Sequence, residues 1–263
     1  MSGAFAGKGV VVTGGGRGIG RALAVRLAAE GARVVVNDLD ADAAARVAGE
    51  VGGHAVPGDA AGERGVAELV AAAREHLGEV DVFCANAGVE RGRGLGTPED
   101  DWELALGVNV LAHVRAARLL VPGWVERGEG RFIVTASAAG LLTMLGNPVY
   151  AVTKHAAVAF AEWLSATYHH RGVRVHAICP QGVRTRMLEE SSGPLKELLS
   201  RDSALEPEDV AEALLGAVAD DRFLVLPHPE VADYYGARAT RPDRWLAGMN
   251  KLQQRLDQAE ERA

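Results

Sequence analysis

The chain has 263 residues, 48% hydrophobic and 24% charged, a composition well away from that of a disordered protein and one that supplies a sizeable buried core. Its 28 basic and 35 acidic residues leave a formal charge of -7, which disfavours a nonspecific hold on nucleic acid or anionic membrane and points to a small-molecule partner. With no basic-then-apolar leader and no run approaching roughly 18 apolar residues, a cytoplasmic protein without a membrane partner is expected.

In chain order, short β-branched runs alternate with longer alanine- and leucine-rich segments. The strand candidates are Gly9–Thr13, Ala32–Asp38, Ala55–Asp59, Val80–Asn86, Arg131–Ser137, Val173–Cys179 and Phe223–Leu226. Between them Ile19–Glu30, Glu63–Leu77, Asp100–Glu126, Val149–Arg171 and Pro207–Ala219 have helical length and pattern. Parallel neighbours need a crossover that covers the sheet, so this order predicts an α/β, doubly wound parallel sheet of about seven strands with helices on both faces. No linker or repeat divides the chain, and 1–263 is expected to form a single domain with 228–263 as a C-terminal tail. The irregular stretches Gly88–Pro98, Gly140–Pro148 and Gln181–Glu206 follow strand ends on one sheet edge, where ligands of open α/β sheets bind. Cys84 and Cys179 lie inside strand runs, as buried free thiols do. The eight histidines are scattered, so no metal is expected.

The first strand runs into Thr13-Gly14-Gly15-Gly16-Arg17-Gly18-Ile19-Gly20 and then a helix. Glycines there allow a tight turn and close approach to a pyrophosphate, whose charge is favoured by free N–H groups and the helix N-terminus. The Gly-x3-Gly-x-Gly spacing departs from the commoner Gly-x-Gly-x-x-Gly, but its place between strand and helix makes Gly14, Arg17, Gly18, Ile19 and Gly20 candidate dinucleotide contacts. Asp38, closing the second strand, stands where a ribose ligand belongs. A carboxylate there accepts from the 2′- and 3′-hydroxyls and repels the extra phosphate of NADP, so NAD is favoured. Arg17, which could reach such a phosphate, is the counterweight. Asp59 and Ala60 are candidates for the adenine side, with turn formation as the alternative.

Tyr150-Ala151-Val152-Thr153-Lys154 puts a tyrosine and a lysine one turn apart on one helical face. The ammonium can favour the deprotonated phenol, which at a pKa of about 10 is otherwise a poor base. Ser137 lies thirteen residues upstream at the end of the fifth strand candidate, on the same edge, where its hydroxyl can orient a reacting oxygen.

With these companions the chain resembles a short-chain dehydrogenase/reductase of the single-domain, NAD-preferring type. The glycine turn, Asn86-Ala87-Gly88, Asn109, Ser137, Tyr150, Lys154 and Pro180-Gln181-Gly182-Val183-Arg184-Thr185 follow that family's order from Lys8 to Leu226. The resemblance implies a Rossmann-type domain that is both dinucleotide-binding and catalytic. It implies a Tyr150 that exchanges a proton with the substrate oxygen, positioned by Ser137. Lys154 would hold the nicotinamide ribose and lower the phenol pKa, and the Asn109 carbonyl would hold a relay water beside it. Asn86, Ala87 and Gly88 would line the cofactor cleft, while Pro180, Gly182, Val183 and Thr185 would shape the nicotinamide pocket. Gln181 separates a proline and a glycine that are adjacent in many relatives.

The activity expected is hydride transfer between NAD(H) and a secondary alcohol or ketone, with oxidation rising with pH. Leu141, Leu142, Met144, Leu145, Met187 and Leu188 are expected as apolar pocket walls or core. An NADPH-dependent ketone or 3-ketoacyl reductase is the alternative enzyme, and an NAD-binding sensor or scaffold the noncatalytic one. Val149–Tyr168 is apolar nearly all round, which points to a homodimer or homotetramer. In the tail, Trp245, Met249, Leu252 and Leu256 fall on one helical face, expected to dock with Tyr234 and Tyr235 beside the Gln181–Glu206 loop and close the substrate pocket.

Overall fold

Strands with no polar face must be covered on both sides, and the β-branched runs are. In the computed structural model, which describes residues 3–190 and 204–260, the strands are β1 Gly9–Thr13, β2 Arg33–Asn37, β3 His54–Ala55, β4 Val82–Ala85, β5 Gly130–Thr135, β6 Val173–Ile178 and β7 Leu224–Val225. All pair in parallel, in the order β3-β2-β1-β4-β5-β6-β7. The helices are α1 Gly18–Ala29, α2 Ala41–Val51, α3 Glu63–Leu77, α4 Glu99–Leu106, α5 Ala112–Arg127, α6 Ala139–Leu142, α7 Pro148–Tyr168, α8 Arg186–Glu190, α9 Pro207–Ala219, α10 Glu230–Thr240 and α11 Pro242–Glu260.

Two apolar cores result. One joins Val11, Phe83, Phe132 and Val134 of the sheet to α3, α5 and α7, and the other joins Val10, Val12, Val36 and Ile133 to α1, α2 and α9. In the first, Trp124 is fully buried and donates its indole N–H to the Val80 carbonyl at 2.7 Å. This is the expected doubly wound, Rossmann-type architecture, with its order reversing between β1 and β4.

Several boundaries differ from the sequence reading. β3 stops at Ala55, and beyond it the N–H groups of Val56 and Gly58 still donate to the carbonyls of Val36 and Asp38 at 2.9 and 3.0 Å, before Gly58 turns at φ 146° and leaves Asp59 in a loop. β5 stops at Thr135, which places Ser137 beyond the strand, in the turn that leads into α6. Helix α2 is an element that periodicity did not single out. Its signals are local: Asp40 caps it by accepting from the Ala43 N–H at 3.0 Å, and Gly52 ends it at φ 62°. Short helices α6 and α8 form within stretches expected to be irregular. Asp100–Glu126 is a continuous helix interrupted by a π-helical turn at Gly107–Leu111. By length and composition Glu99–Arg127 could cross a membrane, but 44% of its most apolar window is buried in the protein, where it packs on α3 and α7.

The tail forms two helices. Val231 of α10 is buried in the first core, and Arg238 donates to the Leu141 carbonyl at 2.5 Å, so the tail docks on α6. The stripe Trp245, Met249, Leu252 and Leu256 is the half-buried side of α11, as its spacing predicts, and Trp245 meets Tyr234 at 6.4 Å between ring centroids. Of the Gln181–Glu206 loop expected beside it, residues 191–203 lie outside the described residues.

Candidate active site

Where the strand order reverses, the ends of β1 and β4 must diverge, and a side-chain clamp holds them at a fixed spacing. Thr13 Oγ1 donates to the Cys84 carbonyl at 3.2 Å and accepts from the N–H groups of Asn86 and Ala87 at 3.0 and 3.1 Å. Asn86 Nδ2 returns hydrogen bonds to the carbonyls of Thr13 and Gly14 at 3.0 and 3.2 Å. The glycine turn rises from this clamp. Gly14 and Gly18 take φ of 59° and 51°, the left-handed region, and a Cβ on Gly20 would stand 2.1 Å from the Gly14 carbonyl oxygen. No side chain caps α1 and its first turn contains no acid, so the N–H groups of its opening turn face the crevice without a built-in acceptor. That cradle fits a dinucleotide pyrophosphate.

Asp38 is buried beside the turn, its Oδ2 accepting from the Gly16 N–H at 2.9 Å and its Oδ1 from the Asp40 N–H at 3.1 Å. Arg17 is engaged with Asp40 at 3.5 Å and Asp38 at 4.0 Å. Asn37 Nδ2 donates to the carbonyls of Val56 and Gly58 at 2.9 and 3.0 Å, which draws the loop carrying Asp59 and Ala60 beside Asp38. Asp59 Oδ1 accepts from the Ala61 N–H at 2.8 Å, so this side chain also makes the turn.

The second half of the crevice is built by α7. Asn147 caps it through Oδ1, which accepts from the Tyr150 N–H at 2.9 Å, and Pro148 opens its first turn. Tyr150 and Lys154 then face the end of β5. Lys154 is buried, donates from Nζ to the Thr135 carbonyl at 2.9 Å, and stands 5.5 Å from the Tyr150 ring centroid. Gly88 comes close to both Asn109 and Lys154, since a Cβ there would lie 3.3 Å from Asn109 Oδ1 and 3.4 Å from Lys154 Nζ. Asn109 lies in the π-helical turn, fully buried. Its side chain accepts from the Val89 N–H and donates to the Val89 carbonyl, both at 2.9 Å, and donates to Thr153 Oγ1 at 3.0 Å.

Burial dominates the titration of these groups. The Tyr150 phenol is pushed up to about 12 by loss of solvent, with a hydrogen bond to Ser137 pulling the other way. Lys154 is pushed down to about 8 by burial. Burial therefore sets the direction of the phenol, while the Lys154 ammonium lies over the ring and is committed to Thr135.

The segment after β6 closes the crevice. Ala138 donates its N–H to the Pro180 carbonyl at 2.8 Å, and the inserted Gln181 is accommodated by an N–H bond to His228 Nδ1 at 3.1 Å. Val183 bridges to Leu205, and Thr185 reaches the glycine turn: a Cβ on Gly18 would lie 3.1 Å from its Cγ2. Leu141 and Leu142 are buried in the first core, whereas Met144, Leu145 and Leu188 are half-buried and Met187 is exposed.

The short chain dehydrogenase family profile matches residues 8–195, which span every element of this crevice up to α8. The chain belongs to the short-chain dehydrogenase family. It is 34% identical over 235 residues to 1-deoxy-11-beta-hydroxypentalenate dehydrogenase of Streptomyces avermitilis, covering 86% of each chain. To meso-2,3-butanediol dehydrogenase of Serratia marcescens it is 33% identical over 229 residues, 84% of this chain and 91% of that one. A solved short-chain dehydrogenase/reductase from Burkholderia phymatum in complex with NAD superposes with a TM-score of 0.81 at 30% identity, over 89% of this chain and 94% of that chain.

Within this short-chain dehydrogenase, sequence reasoning did not single out four residues of the site: Thr13, Glu90, His113 and Asn147. Thr13 and Asn147 carried signals, as the last residue of a strand before the glycine turn and as an Asn-Pro helix start. His113 carried none. It lies one turn beyond Asn109, buried, with both ring nitrogens unpartnered among the described residues, and is held down to about 3 by burial and then by the charge of Lys154.

Between pH 6.5 and about 3 the unfolded chain takes up a proton that the folded His113 refuses, so stability falls as pH falls through that window. From pH 7 to pH 5 the wild type should therefore lose about 2 kcal/mol more unfolding free energy than His113→Leu, read from urea midpoints. Parallel losses would show that His113 does not carry this part of the acid limb. Asp38→Ala removes the carboxylate from the turn and should weaken NADH binding about tenfold while strengthening that of NADPH, as Arg17 is released toward a phosphate. Fluorescence titration with both cofactors measures this, and an unchanged preference counts against Asp38.

Proposed function

We propose that this short-chain dehydrogenase transfers a hydride between NAD(H) and a secondary alcohol or ketone, with Tyr150 as the acid/base. The observation that carries this reading is the meeting of Tyr150, its hydrogen-bond partner Ser137 and Lys154 at the carboxyl edge of the sheet, beside a glycine cradle shaped for a pyrophosphate. NAD supplies the hydride acceptor and, reduced, the donor. Gly14, Arg17, Gly18, Ile19 and Gly20 would hold its pyrophosphate side, Asp38 its adenosine ribose, and Asp59 and Ala60 the adenine edge. Asn86, Ala87, Gly88, Lys154, Pro180, Gly182, Val183 and Thr185 would surround its nicotinamide half. Arg17, already paired with two carboxylates, supports NAD over NADP.

Ser137 and Tyr150 bind the reacting oxygen by hydrogen bonds. In reduction, the neutral phenol gives its proton to that oxygen, and burial moves its ionisation further above neutral pH. In oxidation, the same oxygen gives its proton to Tyr150, so the phenol must first ionise and the rate should rise with pH. Lys154, charged at neutral pH, lies behind the ring, and the π-helical turn at Asn109 supports a proton path past it.

The whole chain is proposed as one dinucleotide-binding and catalytic domain with 228–263 as its extension, cytoplasmic, and assembled as a homodimer or homotetramer. Exposed Leu104, Leu111 and Leu119 on the Glu99–Arg127 helix and Val152 and Trp163 on α7 support the assembly. Sedimentation at micromolar concentration should show a dimer or tetramer, and a monomer alone rejects it. Tyr150→Phe keeps the ring but removes the proton, so turnover of secondary alcohols should fall by about three orders of magnitude while NADH affinity is retained. Near-normal turnover in that variant rejects the assignment.

A further inference from the structure

The loop after β4 places a carboxylate at the site that the reaction does not use. Glu90 is half-buried, and its Oε1 accepts from Asn147 Nδ2 at 3.3 Å. Asn147 is itself buried, and its Oδ1 is the cap of the Tyr150 N–H, so Glu90 fixes which way this amide faces. The second carboxylate oxygen has no hydrogen-bond partner among the described residues. The charge is close enough to Tyr150 to push the phenol up, where the other groups acting on that hydroxyl are Ser137 after β5 and Cys179 after β6, with Lys154 over the ring from α7 itself.

A negative charge beside a phenol that must ionise opposes alcohol oxidation, and orienting Asn147 requires only a neutral acceptor. What a charged acceptor adds is a strong hydrogen bond to a donor from outside the protein. We propose that Glu90 is a specificity residue that accepts a hydrogen bond from a second hydroxyl of the substrate, so that the enzyme prefers diols and hydroxyketones to simple alcohols and ketones. The proposal rests on Tyr150 and Ser137 holding the reacting oxygen. A site built to bind a hydroxyl discriminates strongly against the analogue lacking it, because its own acceptor is then left desolvated and unpaired.

Glu90→Gln tests this, since the amide oxygen still accepts from Asn147 while the charge is gone. NADH formation is compared for butane-2,3-diol against butan-2-ol and for cyclohexane-1,2-diol against cyclohexanol. The wild type should favour the diol of each pair in kcat/KM, and the variant should lose about tenfold or more of that preference. The variant's pH profile with the simple alcohols should also move to lower pH, a change that a purely structural role for Glu90 would not produce. A diol-to-alcohol ratio unchanged by the substitution, or an unmoved pH profile, overturns the role of Glu90 alone. Absence of NADH formation from all four compounds would instead overturn the alcohol-oxidation reading on which the proposal stands.

Discussion

The site depends on a side-chain clamp at the point where a parallel sheet changes direction. From β1 the chain builds outward to β2 and β3, then returns and builds the other way through β4 to β7, so the loops at the ends of β1 and β4 separate and leave a crevice. Nothing in the ladder itself sets the width of that crevice. Thr13 and Asn86 set it: one hydroxyl and one amide serve five hydrogen bonds between the two strand ends. The glycine turn and the Asn86-Ala87-Gly88 loop therefore form one rigid floor. Because Gly88 also abuts Asn109 and Lys154, the floor is tied directly to the helices that carry the chemistry.

Above this floor the electrostatics follow from dryness. Tyr150, Lys154 and His113 are each shifted toward the neutral form, and in each the leading cause is burial. A dry site strengthens hydrogen bonds to a reacting oxygen, and it makes an uncompensated charge costly. This is why Lys154 is held by the Thr135 carbonyl. The π-helical turn belongs to the same design, since it brings Asn109 inward to secure Val89 and Thr153. These bonds fix the loop that carries Glu90 relative to the helix that carries Tyr150.

Much was legible in the residues alone because the signals are local. Val10-Val11-Val12 must be buried on both faces, Gly14 to Gly20 must turn tightly at a strand end, and the four-residue step from Tyr150 to Lys154 puts both on one side of a helix. Asp38, next to the strand end, was visible as a carboxylate beside the glycine turn. The stripe of Trp245, Met249, Leu252 and Leu256 likewise appears as the covered side of α11. Family membership and the sheet follow from such steps, since each depends on residues a few positions apart.

What only the tertiary structure decided are the contacts between distant segments. Asp59 leaves the sheet where Gly58 turns at φ 146°, yet Asn37 holds its loop beside Asp38. Leu141 turned out to be core because α10 and Arg238 close over α6. The spacing of Tyr150 and Lys154 predicts their proximity but not the balance of forces on the phenol. That balance depends chiefly on the removal of water, while Nζ is committed to β5, 19 residues before the lysine. Glu90 and Asn147 are 57 residues apart, and no pattern in either segment announces the other. Sequence periodicity encodes which face of an element is covered, whereas the identity of the group that covers it depends on how the sheet is wound.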